Sequence, residues 1–356
     1  MPQSRGPARL ADVNALVLEA QQTLVLREVP TPEPADDEVL VAVRACGICG
    51  SDFHGIDGSS GRRRPPLIMG HEAAGVIAQL GAAVTGWSEG DRVTFDSTVS
   101  CGRCDECLRG DVNLCAARRV LGVHCEEYRR DGAFADYVTV PARILYALPD
   151  ELSFEQAVLI EPLSVAVHAV GRIEAVEGGT AVVVGTGLVG SLVVAVLRES
   201  GWRVIGVDVD DGRLALASQY GAEPLRAGES TVAEILARTG GRGADAAFEV
   251  VGDTGALRTA TASVRKGGSV VLVGNVNPHV DLALQDAVTR QLTLYGSCAS
   301  AGEYPRCIEL IASGSIDVKP LISAVAPLGE GAVWFDRLRT PGAGLLKVIL
   351  EPGTEA

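Results

Sequence analysis

The strongest constraint on the fold is the segment AVVVGTGLVGSLVVAVLRES, in which a buried-looking strand leads through a glycine-spaced turn into an apolar helix. From about residue 180, six apolar runs alternate with helical patterns; they are AVVVG, RVIGVD, AEPLRA, DAAFEVVG, SVVLVG and LTLYGS. Parallel strands need long crossover connections, which are usually helices. The sequence therefore predicts α/β structure with a doubly wound parallel sheet of the Rossmann kind.

Three glycines follow the first of these strands with the spacing G-x-G-x-x-G. Gly185 allows the tight turn, Gly187 lets backbone N–H groups approach a pyrophosphate, and Gly190 lets the helix pack closely on the strand. Leu188 and Val189 begin the helix, whose N-terminus attracts phosphate. A βαβ unit without a ligand is the simpler alternative. Because strand, turn and helix stand in the required order, the segment predicts a nicotinamide dinucleotide site.

The residue that ends the second strand bears on which dinucleotide binds. Asp208 lies 18 residues after Gly190, about where a carboxylate reaches the adenosine ribose. A carboxylate accepts a hydrogen bond from a free 2′-hydroxyl group and repels a 2′-phosphate. Arg213 is the opposing feature, because an arginine nearby can accommodate that phosphate. With Asp208 at the strand end, the sequence favours NAD over NADP.

Length and composition set the wider context. A chain of 356 residues favours two domains, and its first 150 or so residues read as short strands separated by turns rich in Pro and Gly. Its 31 basic and 45 acidic residues give a net charge of -14. Such a surface repels phosphate backbones and anionic lipid, so we expect neither nucleic acid nor membrane as a partner. Without a secretory signal pattern or a membrane-length apolar run, we expect a cytoplasmic protein.

Four cysteines lie close together in the charged segment CGRCDECLRGDVNLC. The chain has nine cysteines, and an odd number in a reducing compartment argues against a disulfide framework. The thiolates of Cys101, Cys104, Cys107 and Cys115 could close a tetrahedron around Zn²⁺, which would be a structural site. An iron–sulfur cluster and a zinc ribbon that binds nucleic acid use the same ligands. The acidic charge and the close spacing fit the ribbon poorly.

A second cluster of metal-binding residue types lies upstream, in the segments CGICGSDFH and GHEAAG. It contains Cys46, Cys49, Ser51, Asp52, His54, His71 and Glu72. A thiolate, an imidazole and a carboxylate suit zinc, and three protein ligands leave a position for water or substrate, as in a catalytic site. Cys46 and Cys49 alone could instead be a redox C-x-x-C pair. The His-Glu dipeptide and the dinucleotide motif favour zinc.

Taken together, these motifs resemble the zinc-dependent medium-chain dehydrogenases over nearly the whole chain. GHEAAGVIAQLGAAV fits the family signature G-H-E-x2-G-x5-G-x2-V, and the cysteine blocks, EPLSVAVHAV and the glycine motif follow in the family's order. The resemblance implies a GroES-like β-barrel catalytic domain with a structural zinc lobe over residues 1–163. It also implies a Rossmann domain over 164–299, a segment 300–356 that returns to the catalytic domain, and a homo-oligomer, either tetramer or dimer.

The resemblance further implies a ligand set for the catalytic zinc. Cys49, rather than Cys46, matches the cysteine ligand, because it stands just before Gly-Ser-Asp. His71 and Glu72 match the other two ligands. Glu161 stands where alcohol dehydrogenases place a second cysteine, and a glutamate here binds zinc directly or through water in related enzymes. Two zinc ions per chain are thus expected, one catalytic and one structural.

Relay and cofactor positions also follow from the resemblance. Ser51 matches the residue that takes the proton of an alcohol, and His54 the residue that passes it toward solvent. The positions that line the cofactor are matched by Arg213, Val273, Gly274, Asn275, Ser297 and Cys298. The implied reaction is the reversible oxidation of a secondary alcohol to a ketone, with zinc as Lewis acid and hydride transfer to NAD.

The segment EPLSV points to the polyol and sugar-alcohol branch of the family, which predicts a small polyol as substrate. Sorbitol-type dehydrogenases place an Arg-Tyr pair shortly before the tyrosine matched by Tyr304, where this sequence has Ala299 and Ser300. The missing arginine argues against sorbitol itself. A threonine-type or simple alcohol dehydrogenase is one alternative, and a dinucleotide-binding protein without chemistry is another. The run Arg62–Arg64 is typical of a solvated loop.

Overall fold

The computed structural model describes residues 12–124, 129–340 and 342–353. The strands are β1 (Val13–Ala20), β2 (Thr23–Val29), β3 (Glu38–Gly47), β4 (Leu67–Ile68), β5 (Glu72–Leu80), β6 (Arg92–Phe95), β7 (Thr98–Val99), β8 (Arg119–Val120), β9 (Val123–His124), β10 (Arg129–Arg130), β11 (Tyr137–Pro141), β12 (Leu145–Ala147), β13 (Thr180–Val184), β14 (Arg203–Asp208), β15 (Glu223–Arg226), β16 (Ala244–Glu249), β17 (Val264–Leu272), β18 (Thr293–Gly296), β19 (Ile322–Pro327) and β20 (Lys347–Glu351). The helices are α1 (Gly50–Phe53), α2 (Asp105–Arg109), α3 (Phe154–Val158), α4 (Ile160–Gly171), α5 (Leu188–Glu199), α6 (Asp211–Gln219), α7 (Thr231–Arg238), α8 (Thr254–Ser263), α9 (Leu284–Thr289), α10 (Tyr304–Ala312) and α11 (Gly331–Arg339). Within the described ranges, no helix combines the length and apolar character that a membrane span requires.

The chain divides into two compact units. The barrel unit contains the described residues up to Glu161 and those from Ile322 onward, and the Rossmann unit is Pro162–Leu321. The segment that returns to the first unit therefore begins at residue 322, and not at residue 300 as the sequence predicted. Residues 300–321 stay with the Rossmann unit, where the Tyr220 hydroxyl donates a hydrogen bond of 2.7 Å to the Asp317 carbonyl, just after α10.

The Rossmann unit contains a six-stranded sheet with the order β15-β14-β13-β16-β17-β18, in which every neighbouring pair is parallel. This order is that of a doubly wound dinucleotide-binding sheet, so the predicted sheet is confirmed. Its central strands β13, β14 and β16 are almost entirely buried, because helices cover both faces of such a sheet. Val182, Ile205 and Val270 are fully buried at its centre.

The barrel unit is built around a sheet with the order β12-β6-β5-β3-β20-β19, with β11 also paired to β3. The strands β2, β1 and β4 form a smaller sheet beside it in the same unit. Strand β3 lies between β5 and β20, and both of these strands run antiparallel to it. The register places Gly47, at the end of β3, opposite Glu72 on one side and Ile349 on the other. Three strands from distant parts of the chain therefore meet at one point.

Candidate active site

Three metal-binding side chains converge at that point in the barrel unit. Cys49, His71 and Glu72 each offer one donor atom, and these atoms lie within 4.8 Å of one another. Cys49 caps the N-terminus of α1, shortly after β3, and Glu72 begins β5. Gly47 is required where these elements meet, because a Cβ atom there would lie 2.5 Å from Glu72 Oε2. The backbone thus brings the three donors together without a long loop.

The chemistry of this donor set fits a zinc ion. Sulfur, nitrogen and oxygen donors in one site are typical of zinc, and three protein ligands leave one tetrahedral position open. Burial lowers the pKa of His71, but Asp52 and Cys49 outweigh burial, so the pKa is raised well above its usual value. The surroundings of His71 therefore stabilise positive charge, which a bound cation would supply in place of a proton.

Asp52 orients the residues of this cluster and is itself fully buried. Its Oδ2 accepts a hydrogen bond of 3.2 Å from the Cys49 N–H, and its Oδ1 lies 3.4 Å from His71 Nδ1. Arg63 Nη2 donates to the same Oδ1 at 2.8 Å. Burial alone would raise the pKa of Asp52, but His71 and Arg63 hold it well below its usual range. His71 Nδ1 makes no hydrogen bond among the described residues, so Asp52 acts on the imidazole mainly through its negative charge.

A lysine on the last strand pairs with the glutamate of the cluster. Lys347 is 1% exposed, and its Nζ donates to Glu72 Oε2 and, at 3.0 Å, to the Ile48 carbonyl. Burial lowers the pKa of Lys347, but Glu72 outweighs burial and raises it, so the lysine is charged. The β20–β3 pairing brings this cation to a residue 275 positions earlier in the chain.

The predicted relay residues lie on α1 and at its C-terminal end. Ser51 and His54 are both exposed, and the His54 ring lies 4.5 Å from the Phe53 ring, centroid to centroid. The Ser51 hydroxyl oxygen accepts a hydrogen bond of 3.3 Å from Arg63 Nη2. Both side chains can therefore exchange protons with a bound molecule or with solvent.

Two further predicted residues differ in their relation to the three donors. Glu161, in the first turn of α4, is outside the group of three, but burial and the neighbouring Glu72 raise its pKa to about 7. Cys46 is also outside it; its thiol is fully buried, and burial raises its pKa well above the usual value. Of the two cysteines in CGIC, Cys49 is therefore the one that lies with His71 and Glu72.

The four cysteines of the lobe also come together. Cys101, Cys104, Cys107 and Cys115 each offer a sulfur atom, and all four sulfurs lie within 4.8 Å of one another. None of them is in a disulfide, and hydrogen bonds from the backbone N–H groups of Arg103 and Cys104 lower the pKa of Cys101 to about 6. Four sulfurs at this spacing fit a closed tetrahedral zinc.

The glycine motif has the geometry that a dinucleotide needs. Gly185 has φ of +91°, in the left-handed region that favours glycine. A Cβ at Gly190 would lie 1.9 Å from the Gly185 carbonyl oxygen, so helix and turn pack too closely for any side chain. At Gly187 a Cβ would meet nothing within 4 Å, and Leu188 and Val189 then start α5. The open space at a helix N-terminus fits a pyrophosphate.

Asp208 is held in place at the end of β14. Its Oδ2 accepts hydrogen bonds from the N–H (2.7 Å) and hydroxyl (3.3 Å) of Thr186, and its Oδ1 accepts one from the Asp210 N–H (3.0 Å). A carboxylate has about four lone-pair positions, so one on Oδ1 remains for a ribose hydroxyl. Arg213, on α6, is exposed, and its backbone N–H is bonded to Asp210.

The other predicted cofactor residues follow β17 and β18 in the Rossmann unit. Gly274 passes so close to Gly252 that a Cβ would lie 2.2 Å from the Gly252 nitrogen, and Val273 donates its N–H to the Glu249 carbonyl at 2.9 Å. Ser297 follows β18, and its buried Oγ has no hydrogen-bond partner among the described residues. An orphaned buried hydroxyl fits a polar ligand. Asn275 and Cys298 are exposed beside these positions.

Known proteins resemble the whole chain. Models of the "Alcohol dehydrogenase GroES-like domain" and of "Zinc-binding dehydrogenase" match residues 35–150 and 189–313. Sorbitol dehydrogenase of Bacillus subtilis (strain 168) is 36% identical over 348 residues, which is 96% of this chain and 98% of that protein. D-xylulose reductase A of Aspergillus oryzae is 34% identical over 356 residues, 97% of this chain and 98% of that protein. A crystal structure of a zinc-binding dehydrogenase from Sinorhizobium meliloti 1021, bound to NADP, has a TM-score of 0.88 at 32% identity, and the match covers 96% of this chain and all of that chain. The chain belongs to the zinc-dependent medium-chain dehydrogenases.

This membership confirms the family, its polyol branch and the fold class predicted from the motifs, a GroES-like barrel together with a Rossmann domain. Sequence reasoning missed two buried cations of the dehydrogenase. Lys347 left a signal, because it is the one charge within the apolar run LLKVIL. Arg63 gave no such signal, because the run Arg62–Arg64 is typical of a solvated loop. In the structure Arg63 is 4% exposed, whereas Arg62 and Arg64 are exposed.

Proposed function

We propose that the dehydrogenase oxidises a secondary alcohol group of a small polyol to a ketone, reversibly, and passes the hydride to NAD. The observation that carries the proposal is the convergence of Cys49, His71 and Glu72, with Asp52 behind them, in a chain that also has the dinucleotide motif. The similarity to a sorbitol dehydrogenase and a D-xylulose reductase supports a polyol as substrate.

Each residue of the cluster has a distinct proposed role. Cys49, His71 and Glu72 would hold a zinc ion, which when bound supplies Lewis-acid polarisation of the alcohol oxygen. The exposed Ser51 hydroxyl takes the alcohol proton while its own proton moves on, and His54 passes a proton to solvent. Glu161, whose pKa is raised to about 7, lies close enough to Glu72 for their charges to interact and is proposed as an auxiliary carboxylate.

The lobe cysteines, Cys101, Cys104, Cys107 and Cys115, are proposed to hold a second zinc with no open position, which clamps a segment that has little apolar core of its own.

The preference for NAD rests on Asp208. Its remaining Oδ1 lone pair can accept from a ribose 2′-hydroxyl, whereas a 2′-phosphate would place negative charge against a fixed carboxylate. The relative solved with NADP shows that the fold also accepts the phosphorylated cofactor, and the exposed Arg213 is the residue here that could favour it.

The sequence departure near Tyr304 argues for a polyol other than sorbitol. Ala299 has φ of +52° and Ser300 is 4% exposed, so the expected arginine is replaced by a left-handed turn and a buried small residue. The relatives do not favour a threonine-type or simple alcohol dehydrogenase.

A homo-oligomer is also proposed. In support, β18 is an edge strand of the Rossmann sheet, and the nearby residues 276–288 expose Val276, Leu284 and Val288 by more than 60% each. Exposed apolar side chains beside an unpaired strand edge favour pairing with another copy.

The test is a substrate screen with the zinc-loaded protein. Polyols, sugar acids, amino alcohols and simple alcohols are each offered with NAD and with NADP, and reduced nicotinamide is followed by absorbance. We expect polyol oxidation with NAD, and its loss in Cys49→Ser. Zinc-loaded protein that binds the dinucleotide but oxidises no alcohol in the screen would favour a binding protein without chemistry.

A further inference from the structure

Arg63 is the buried cation that the proposed function does not use. Both neighbours in the sequence are exposed, but its own side chain is enclosed in the barrel unit. Gly55 makes the room, because a Cβ there would lie 2.8 Å from Arg63 Cγ. The loop that carries it is fixed to β9: the His124 N–H donates to the Arg62 carbonyl at 3.2 Å, and Arg63 forms a bridge with His124. The position of the guanidinium group is therefore set by the fold.

One nitrogen of Arg63 contacts two parts of the site. Nη2 donates to Asp52 Oδ1 at 2.8 Å and to Ser51 Oγ at 3.3 Å. It carries two hydrogens, so both bonds can form together. Asp52 in turn contacts the Cys49 N–H and His71. Arg63 thus links the proposed relay hydroxyl to the carboxylate behind the proposed metal ligands.

Stability alone does not account for this arginine. Its Nε is buried and has no hydrogen-bond partner among the described residues, and an unsatisfied buried donor costs about 1–3 kcal/mol. A buried ion pair is often no more stable than apolar residues of the same volume. An arginine buried at such a cost points to a role beyond packing.

We propose that Arg63 is a positioning residue that fixes the Ser51 hydroxyl for proton transfer while it is anchored on Asp52. Ser51 is exposed, so water would otherwise decide where its hydroxyl hydrogen points. When Arg63 Nη2–H donates to one lone pair of Ser51 Oγ, the other lone pair is left to accept the proton of the alcohol. The hydrogen of the Ser51 hydroxyl group then leaves in the opposite direction. Arg63 keeps its own protons throughout, and the inference rests on the proposed function.

The test is a double-mutant cycle between Arg63→Gln and Ser51→Ala, with kcat expressed per bound zinc. Arg63→Gln should lower kcat by up to about 100-fold, the lower end of what a positioned proton-transfer group contributes. In the Ser51→Ala background the same change should have little further effect, because the hydroxyl that it positions is gone. Arg64→Gln, which removes the same charge from an exposed neighbour, is the matched control and should behave as wild type.

Zinc affinity provides a readout that does not depend on turnover. Competition with a chelator should show that Arg63→Gln holds its catalytic zinc at least as tightly as wild type, because the change removes a positive charge near the metal. The loss in kcat would then come from the Ser51 hydroxyl and not from loss of metal. If Arg63→Gln does not fold, Arg63→Lys, which keeps the charge but not the planar guanidinium, enters the same cycle. Losses in kcat that simply add, or zinc held more weakly than in wild type, overturn the inference. A wild-type protein that oxidises no alcohol would instead refute the proposed function.

Discussion

Replacing Lys347 tests the charge pattern around Glu72 most directly. Lys347→Met keeps most of the volume of the side chain but removes the ammonium group, so that Glu72 becomes a fully buried carboxylate without this cation. Removing one partner of a buried ion pair costs about 3–5 kcal/mol, because the other charge is left uncompensated. The Ile48 carbonyl also loses its donor. We therefore expect the free energy of unfolding of the zinc-free protein to fall by about 3–5 kcal/mol.

Urea denaturation followed by circular dichroism measures this loss. With a slope of about 2 kcal/mol per molar urea, the unfolding midpoint should fall by roughly 1.5–2.5 M. Lys266→Met, which removes an exposed lysine, should change stability by less than about 0.5 kcal/mol. In a Glu72→Gln background Lys347→Met should cost much less, since the carboxylate that Lys347 contacts is gone. An equal loss in both backgrounds, or a loss below about 1 kcal/mol, would refute the argument.

Three other predictions address the metals and the cofactor. Cys104→Ser should lose one zinc ion per chain and melt at a lower temperature, as measured by elemental analysis and calorimetry; full zinc occupancy would contradict a structural site. Asp208→Ser should weaken the binding of NAD and reduce the ratio of kcat/KM for NAD to that for NADP. A wild-type protein that prefers NADP would show that Asp208 does not determine the choice of cofactor. Glu72→Ala should lose the catalytic zinc while still binding cofactor, whereas Glu161→Ala should mainly lower the catalytic rate, and Cys46→Ser should keep the catalytic zinc. If Glu161→Ala loses zinc and Glu72→Ala does not, the roles of the two glutamates are exchanged.

The Rossmann sheet was predictable strand by strand because its strands are short, largely apolar runs that turns and helical patterns separate. The boundaries were less predictable. TGALRTATASVRKGG reads as one helix, but α8 ends at Ser263 and β17 begins at Val264. The reason is tertiary: Val264 pairs with Ala244 on β16, and a register shift lets β17 continue through Gly267 and Gly268. Pairing with another strand overrides a local helical pattern.

The cluster of three donors was predictable for a different reason. Cys49 follows closely after β3, and His71 and Glu72 are adjacent at the start of the strand that pairs with it, so local sequence carries most of their geometry. The cations that pair with Asp52 and Glu72 come from other parts of the chain. Lys347 arrives through the order β5-β3-β20, which no local pattern encodes. Arg63 is buried through its contact with Asp52 and the room that Gly55 leaves for its stem.

These two distant cations set the net charge of the side chains around the proposed metal position. Asp52 is balanced by Arg63 and Glu72 by Lys347, so the two carboxylates and two cations sum to zero before any metal binds. A divalent ion held by the Cys49 thiolate would then leave one positive charge, and the groups able to neutralise it are Glu161 and an alcohol that has lost its proton. In the proposed function the two compete for that role. If either buried cation were absent, a carboxylate of the cluster would already neutralise the ion, and loss of the alcohol proton would be favoured less. The ligand motif alone predicts where a metal would bind, whereas the buried cations that set the charge around that position are visible only in the folded chain.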